Sequence, residues 1–270
     1  MSNKKEKFKT LDGRSVTPVK FGAAREARDF IKQYDEVQNF EVHGYERFVY
    51  QYIREEFPNE VDYNINQMKI YALDIEVQCE NGFPNVEEAA EEMLSITIKD
   101  MVTKKYYSWT TREFDAPDNL ELNVSWTEQE MLTNFITWWA ENTPDILTGW
   151  NVNLYDVPYI ARRVNRILGE KWMKSLSPWN RANEREVYVQ GRRNYAYDIS
   201  GINILDYLDL YRKFTYSSQE SYRLDHIAFV ELGQRKVNHD EYENFKDFYT
   251  SDWQKVMEYN IQDVELIDRL

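Results

Sequence analysis

The 270-residue chain is 42% hydrophobic and 15% aromatic, enough apolar material for a packed core, which excludes a disordered chain. No apolar run approaches the roughly 20 residues needed to span a bilayer, and no apolar stretch follows the basic start MSNKKEKFKT, so neither a membrane span nor a secretory signal is expected. The single Cys79 excludes an internal disulfide and an all-cysteine zinc site, as expected of a soluble protein in a reducing cytoplasm. With 33 Lys and Arg against 47 Asp and Glu, bulk charge does not favour phosphate binding. Contact with nucleic acid would need local basic patches, or bound cations to offset carboxylates.

Residues 1–65 are charged, with an amphipathic stretch around Ala23–Tyr34 and a tyrosine-rich segment at Tyr45–Ile53, and read as an appended piece. The main domain is expected over 66–270. There MKIYALDIEVQ reads as a strand, followed by the strands LSITIKD and KYYSWTT. Met131, Leu132, Phe135, Ile136 and Trp139 have helical spacing, with Thr127 as N-cap and Glu130 completing a capping box. DILTGW is a short buried strand, and VPYIARRVNRILG is a helix stopping at Gly169. REVYVQGRRNYAYDIS alternates around GRRN and predicts an exposed β-hairpin with a basic tip. INILDYLDLYRKF starts as a strand and ends as a helix; SYRLDHIAFVEL and SDWQKVMEYNIQDVELIDRL are helical. No Gly or Asn stops the last of these, so that helix is expected to continue past Leu270. Strands followed by alternating strands and helices give a mixed α/β sheet.

Three sites carry candidate chemistry. Asp74 and Glu76 flank Ile75 in a strongly apolar strand, so they share one face, roughly 6–7 Å apart at Cα. Two such acids repel and are costly to desolvate unless a cation lies between them, although a solvated strand edge is the alternative. Asp156, just ahead of Val157-Pro158, is an N-cap candidate. Tyr259 and Asp263 are one turn apart on the last helix and could be a simple packing pair. Together, four carboxylates and a tyrosine form an inventory suited to two-metal phosphodiester hydrolysis, in which hard oxygen ligands hold Mg²⁺ or Mn²⁺.

The segments ALDIEV, ILTGWNVNLYDVPYI, ILDYLDLYRKF, SYRLDHIAFVEL and YNIQDV resemble, in order, the exonuclease motifs of DEDD proofreading nucleases. They are most similar to the family B DNA polymerases of T-even-like bacteriophages, and a weaker similarity at Asp12–Tyr34 resembles the end of that family's N-terminal domain. The resemblance implies a ribonuclease H-like α/β fold, a mixed sheet flanked by helices with an exposed hairpin, and a small partial N-terminal domain. It implies 3′→5′ excision of mispaired DNA ends with two ions, Mg²⁺ or Mn²⁺. Asp74 would bridge both ions, Glu76 and Asp263 would ligate the tighter one, and Asp156 the second; Tyr259 would orient the attacking water. Phe83 would stack on unpaired 3′ bases, Asn151, Arg192 and Arg193 would contact DNA, and the hairpin Glu186–Ser200 would help part primer from template. Partners implied are single-stranded 3′ ends, primer–template, the remaining polymerase domains in the same or a second chain, and a sliding clamp, in the cytoplasm of an infected bacterium. Asp206, Asp209 and His226 read as structural. The nucleotidyl-transfer motifs SLYPS and YGDTDS do not occur in these residues. A free-standing DEDD exonuclease on DNA or RNA, and an inactive DNA-binding scaffold, are the alternatives.

Overall fold

The computed structural model describes residues 8–43, 48–79, 84–189, 191–237 and 242–270, and divides the chain into two units, Met1–Tyr63 and Asn64–Leu270. In the first unit, β1 (Phe8–Lys9) and β2 (Ser15–Val16) pair antiparallel, followed by α1 (Ala24–Tyr34) and α2 (Phe48–Glu56). The expected amphipathic stretch is α1. The rings of Phe21, Phe30, Tyr34 and Phe40 run along it with successive centroids 4.6–5.2 Å apart.

The second unit is built on a six-stranded mixed sheet in the order β10-β7-β3-β4-β5-β6. Its strands are β3 (Ile70–Val77), β4 (Met93–Asp100), β5 (Tyr106–Thr110), β6 (Leu120–Val124), β7 (Ile146–Gly149) and, later in the chain, β10 (Asn203–Asp206). α3 (Glu128–Glu141) precedes β7, and α4 (Asp156–Leu168) and α5 (Glu170–Lys174) follow it. β8 (Ala182–Val189) and β9 (Arg192–Ile199) form a separate antiparallel hairpin. After β10 come α6 (Tyr207–Phe214), α7 (Leu224–Leu232), α8 (Phe245–Ser251) and α9 (Trp253–Arg269).

Strand alternation divides the sheet into two unlike faces. Tyr71, Leu73, Ile75 and Val77 of β3, with Ile96 and Ile98 of β4, join the apolar residues of α3 and α4 in the largest core. The intervening residues, Ala72, Asp74 and Glu76 on β3 and Ser95, Thr97 and Lys99 on β4, occupy the other face, where α9 packs on β3 and β4. Glu76 pairs with Ser95 but Val77 with Met93, so Leu94 is a bulge residue, and it packs with Phe248, Tyr249 and Val256.

Four details differ from the pattern-based expectation. The short strand β6 was not foreseen, because its polar alternation marks an edge strand and it depends on parallel pairing with β5. The short helices α5 and α8 were not foreseen either. Thr127 does cap α3 through the Glu130 amide (3.2 Å), but Glu130 reaches back to the Trp126 amide (2.8 Å) and not to the N-cap residue. Finally, Val189 pairs with Arg192, so Arg192 to Asn194 belong to β9 and the turn falls at Gly191, whose φ is +77°.

α4 is held in place by a buried ion pair. Arg163 donates to both Glu128 carboxylate oxygens (2.7 and 2.6 Å) and to the Ala89 and Ala90 carbonyls, while Glu128 Oε1 also accepts from the Met93 amide. Removing one partner of such a pair strands the other charge. Arg163→Leu is therefore expected to cost about 3–5 kcal/mol, read as a lower urea midpoint; an unchanged midpoint would show that water reaches Glu128.

Candidate active site

β7 pairs with β3 only from Ile70 to Ala72, so the ladder on that side of β3 stops short of the two acids. The open position is filled by a side chain: the Ile75 amide donates to Asp156 Oδ1 at 3.2 Å. Asp156 is thereby fixed beside the residue that separates Asp74 from Glu76. It is the first residue of α4, and the N-cap position is Tyr155. The N-cap alternative for Asp156 is thus set aside, since the carboxylate accepts from the sheet edge.

The loop from β7 to α4 is constrained at both ends. A Cβ at Gly149 would stand 2.6 Å from the Leu73 carbonyl and 2.9 Å from Val152 Cβ, so only glycine fits there. Asn151 takes a left-handed conformation (φ +64°), and its amide donates to Asp206 Oδ1 at 3.0 Å. Buried Asp206 also accepts from the Asn153 and Leu208 amides (2.9 and 3.0 Å), tying this loop to the start of α6.

From the opposite side, α9 brings Tyr259 and Asp263 to β3. One carboxylate oxygen each from Asp74, Glu76 and Asp263 lies within 4.8 Å of the others. Asp263 Oδ1 is buried with no hydrogen-bond partner among the described residues, while Oδ2 accepts from Lys236. Lys236 also donates to the Tyr259 hydroxyl (2.5 Å) and lies 3.9 Å from that ring's centroid. The Asp74 Oδ2 atom accepts from Asn260 Nδ2 at 2.6 Å. Hard oxygen donors, a tight cluster and an unpartnered buried carboxylate oxygen together fit a divalent cation.

The electrostatics follow from confinement. Burial, then the Asp263 charge, pushes Glu76 up to about 8 from its ordinary 4.5. Burial pushes Asp156 up to about 8 from 3.8, although its own amide and that of Ile75 oppose the rise. Asp74 is raised by burial and by the charges of Asp263, Asp156 and Glu76; Asp263 is raised by burial against the pull of Lys236. Burial alone would depress Lys236, but Asp263, Tyr259 and Asp74 outweigh it and hold the ammonium charged. Tyr259 is raised by burial and by Asp263, so it remains a phenol with a proton to donate.

The structure therefore brings together Asp74, Glu76, Asp156, Tyr259 and Asp263. Arg192 and Arg193 are exposed on the separate hairpin, where Arg193 lies 5.4 Å from the Tyr195 ring centroid. Phe83 lies outside the described residues. Lys236 and Asn260 were not singled out in the sequence. Lys236 lies in the GQRKV segment, which has no periodicity to reveal its direction. Asn260 could have been noticed as a polar residue within a helix beside two candidate site residues.

These carboxyls titrate higher in the folded chain than in the unfolded one. The stability they contribute is complete below the ordinary values of 3.8 and 4.5, and is lost as pH rises through about 8. In EDTA, the melting temperature should fall between about pH 5 and pH 8, and Mn²⁺ should restore most of it at the alkaline end. Asp74→Asn, which removes one of the crowded charges, should raise the metal-free melting temperature by about 2–4 °C. A pH-independent melting temperature in EDTA would contradict the electrostatic picture.

Comparison with known proteins agrees with this geometry. Residues 31–227 match the model of the DNA polymerase family B exonuclease domain, a span that includes Asp74, Glu76, Asn151 and Asp156 and ends before Lys236, Tyr259 and Asp263. The DNA-directed DNA polymerase of Enterobacteria phage T4 is 30% identical over 98% of this chain and 32% of its own length. That of Escherichia phage RB69 is 28% identical over 96% of this chain and 31% of its own. The DNA polymerase catalytic subunit of human herpesvirus 6B is 26% identical over 74% of the chain and 21% of its own length. The chain thus spans about a third of the phage relatives it matches. With its mixed sheet, its buried acids and a family match over most of its length, the chain belongs to the exonuclease domain of the family B DNA polymerases, in a ribonuclease H-like fold.

Proposed function

We propose that the chain is the 3′→5′ proofreading exonuclease of a phage replicative polymerase, removing mispaired nucleotides from DNA 3′ ends by phosphodiester hydrolysis. The observation that carries this reading is the triad of half-buried Asp74 with buried Glu76 and Asp263, with an unpartnered carboxylate oxygen and Asp156 docked alongside. Two divalent cations, Mg²⁺ or Mn²⁺, would supply charge neutralisation at the scissile phosphate and an acidified water. Asp74, Glu76 and Asp263 would hold one ion, and Asp74 and Asp156 the second. Tyr259, protonated and beside Asp263, would orient the attacking water through its hydroxyl. Lys236 balances the carboxylates in the metal-free site, and its ammonium is close enough to Tyr259 and Asp263 to bear on the same phosphate.

On this reading Phe83, Asn151, Arg192 and Arg193 contact the DNA, and the exposed hairpin aids separation of the primer end. The first unit would be part of the polymerase's N-terminal domain. Nucleotidyl transfer and any sliding-clamp contact would belong to segments beyond these residues, in the same or a second chain, within the infected bacterial cell. A free-standing exonuclease acting on RNA, or a scaffold that binds DNA without cleaving it, would be distinguished by substrate.

The test is incubation with labelled single-stranded DNA, matched and mismatched primer–templates, and RNA, in Mg²⁺ or EDTA. Metal-dependent release of mononucleotides from DNA 3′ ends is expected; preference for RNA, or binding without cleavage, would overturn the proposal. Joint replacement of Asp74 and Glu76 by Ala should lower excision by several orders of magnitude. Tyr259→Phe should slow hydrolysis about 10²-fold and leave Mn²⁺ binding intact. Equal loss of Mn²⁺ binding in Tyr259→Phe and Asp263→Ala would show that the roles are not separate.

A further inference from the structure

The face of α9 turned to the sheet carries a polar side chain that the proposed chemistry does not use. Asn260 is fully buried, one residue after Tyr259, and its side-chain hydrogen-bond partners Ser95, Thr97 and Asp74 lie on the sheet. Its Oδ1 accepts from Ser95 Oγ at 3.0 Å and from Thr97 Oγ1, and Thr97 shares a further hydrogen bond with Ser108 Oγ on β5 at 3.0 Å. Its Nδ2 donates to Asp74 Oδ2 at 2.6 Å.

The pairing is specified from both ends. Thr97 and Ser95 are the cross-strand partners of Asp74 and Glu76, so alternation points their hydroxyls to the acidic face. With Asp74 ionised, as cation binding requires, the reversed amide would set its oxygen against the carboxylate, so this orientation, with the NH₂ facing Asp74, is the one that suits a metal-bound site. One lone pair of Asp74 is thereby fixed, and with it the plane of the carboxylate. The same side chain also sets the separation between α9 and the β3–β4 pair, and hence between Asp263 and Asp74. A residue that served only to fill the core could be apolar, as the neighbouring buried positions Val256, Met257 and Val264 are.

We propose that Asn260, supported by Ser95 and Thr97, is a positioning residue that orients the Asp74 carboxylate for divalent-cation binding. The inference rests on the nuclease reading for its consequence in turnover, but its direct readout is metal binding. Groups that orient a metal ligand typically alter affinity by about 10–100-fold when removed.

The experiment uses the full chain. Mn²⁺ affinity is measured by calorimetry and by Mn²⁺ electron paramagnetic resonance, alongside steady-state digestion of single-stranded DNA. Asn260→Ala should weaken Mn²⁺ binding at least about tenfold and lower kcat, with KM for DNA unchanged. Ile136→Ala, a core substitution in α3, serves as the stability control and should lower the melting temperature while keeping native Mn²⁺ affinity. Should Asn260→Ala fail to fold, the pair Ser95→Ala and Thr97→Val leaves Asn260 in place without its two donors and should weaken Mn²⁺ binding in the same direction.

Native Mn²⁺ affinity in a folded Asn260→Ala protein, or in the Ser95/Thr97 pair when it is the folded variant, would overturn the proposal. So would a loss no larger than that of the stability control. A native chain that binds Mn²⁺ but digests no nucleic acid would refute the nuclease reading alone, because the Asn260 effect on binding is still measured.

Discussion

The structure depends on the crowding of like charges on one buried face of β3. Asp74 and Glu76 are two residues apart, and Asp263 and Asp156 approach from α9 and α4. Carboxylates removed from water and placed side by side repel unless positive or hydrogen-bond-donating groups surround them. The surrounding structure supplies these: the Ile75 amide for Asp156, the Asn260 amide for Asp74 and the Lys236 ammonium for Asp263. The one buried carboxylate oxygen without a partner among the described residues, Asp263 Oδ1, marks where compensation from the protein ends.

The same constraint explains why the sheet face under α9 is polar. Ser95, Thr97 and Lys99 would be unusual choices for a strand buried on both sides, yet each is paired with a residue of α9. Lys99 bridges Glu265 and Asp268, and Ser95 and Thr97 meet Asn260. α9 is therefore positioned by directional contacts along its length, and apolar packing of Val264, Leu266 and Ile267 supplies the burial. Apolar contacts alone tolerate sliding; hydrogen-bonded and ionic ones fix the turn on which Tyr259 and Asp263 reside.

The acidic composition is less at odds with nucleic-acid chemistry once the charges are located. Part of the carboxylate excess is gathered where bound cations would invert the local charge. Arg192 and Arg193 lie on an exposed hairpin, so phosphate contact there does not require a basic chain as a whole.

The sequence alone determined the faces. Alternation in YALDIEV places Asp74 and Glu76 together and Ile75 and Val77 opposite, because a strand's period of two leaves no other arrangement. Helical spacing likewise gave α3, α4 and α9, and the motif order, through the resemblance it carries, named five candidate residues that the fold brings together. What only the tertiary structure decided depends on where elements end. Asp156 reads as a helix cap in isolation, and becomes a sheet-edge acceptor because β7 stops pairing at Ala72. Lys236 lies in an aperiodic segment, 27 residues before Asp263, so no local pattern encodes their contact. Asn260 acquires its partners only because the packing of α9 on β3 and β4 brings Ser95, Thr97 and Asp74 within reach of one amide. Local periodicity is set by backbone geometry, whereas partners distant in the chain are chosen by the packing that closes the core around them.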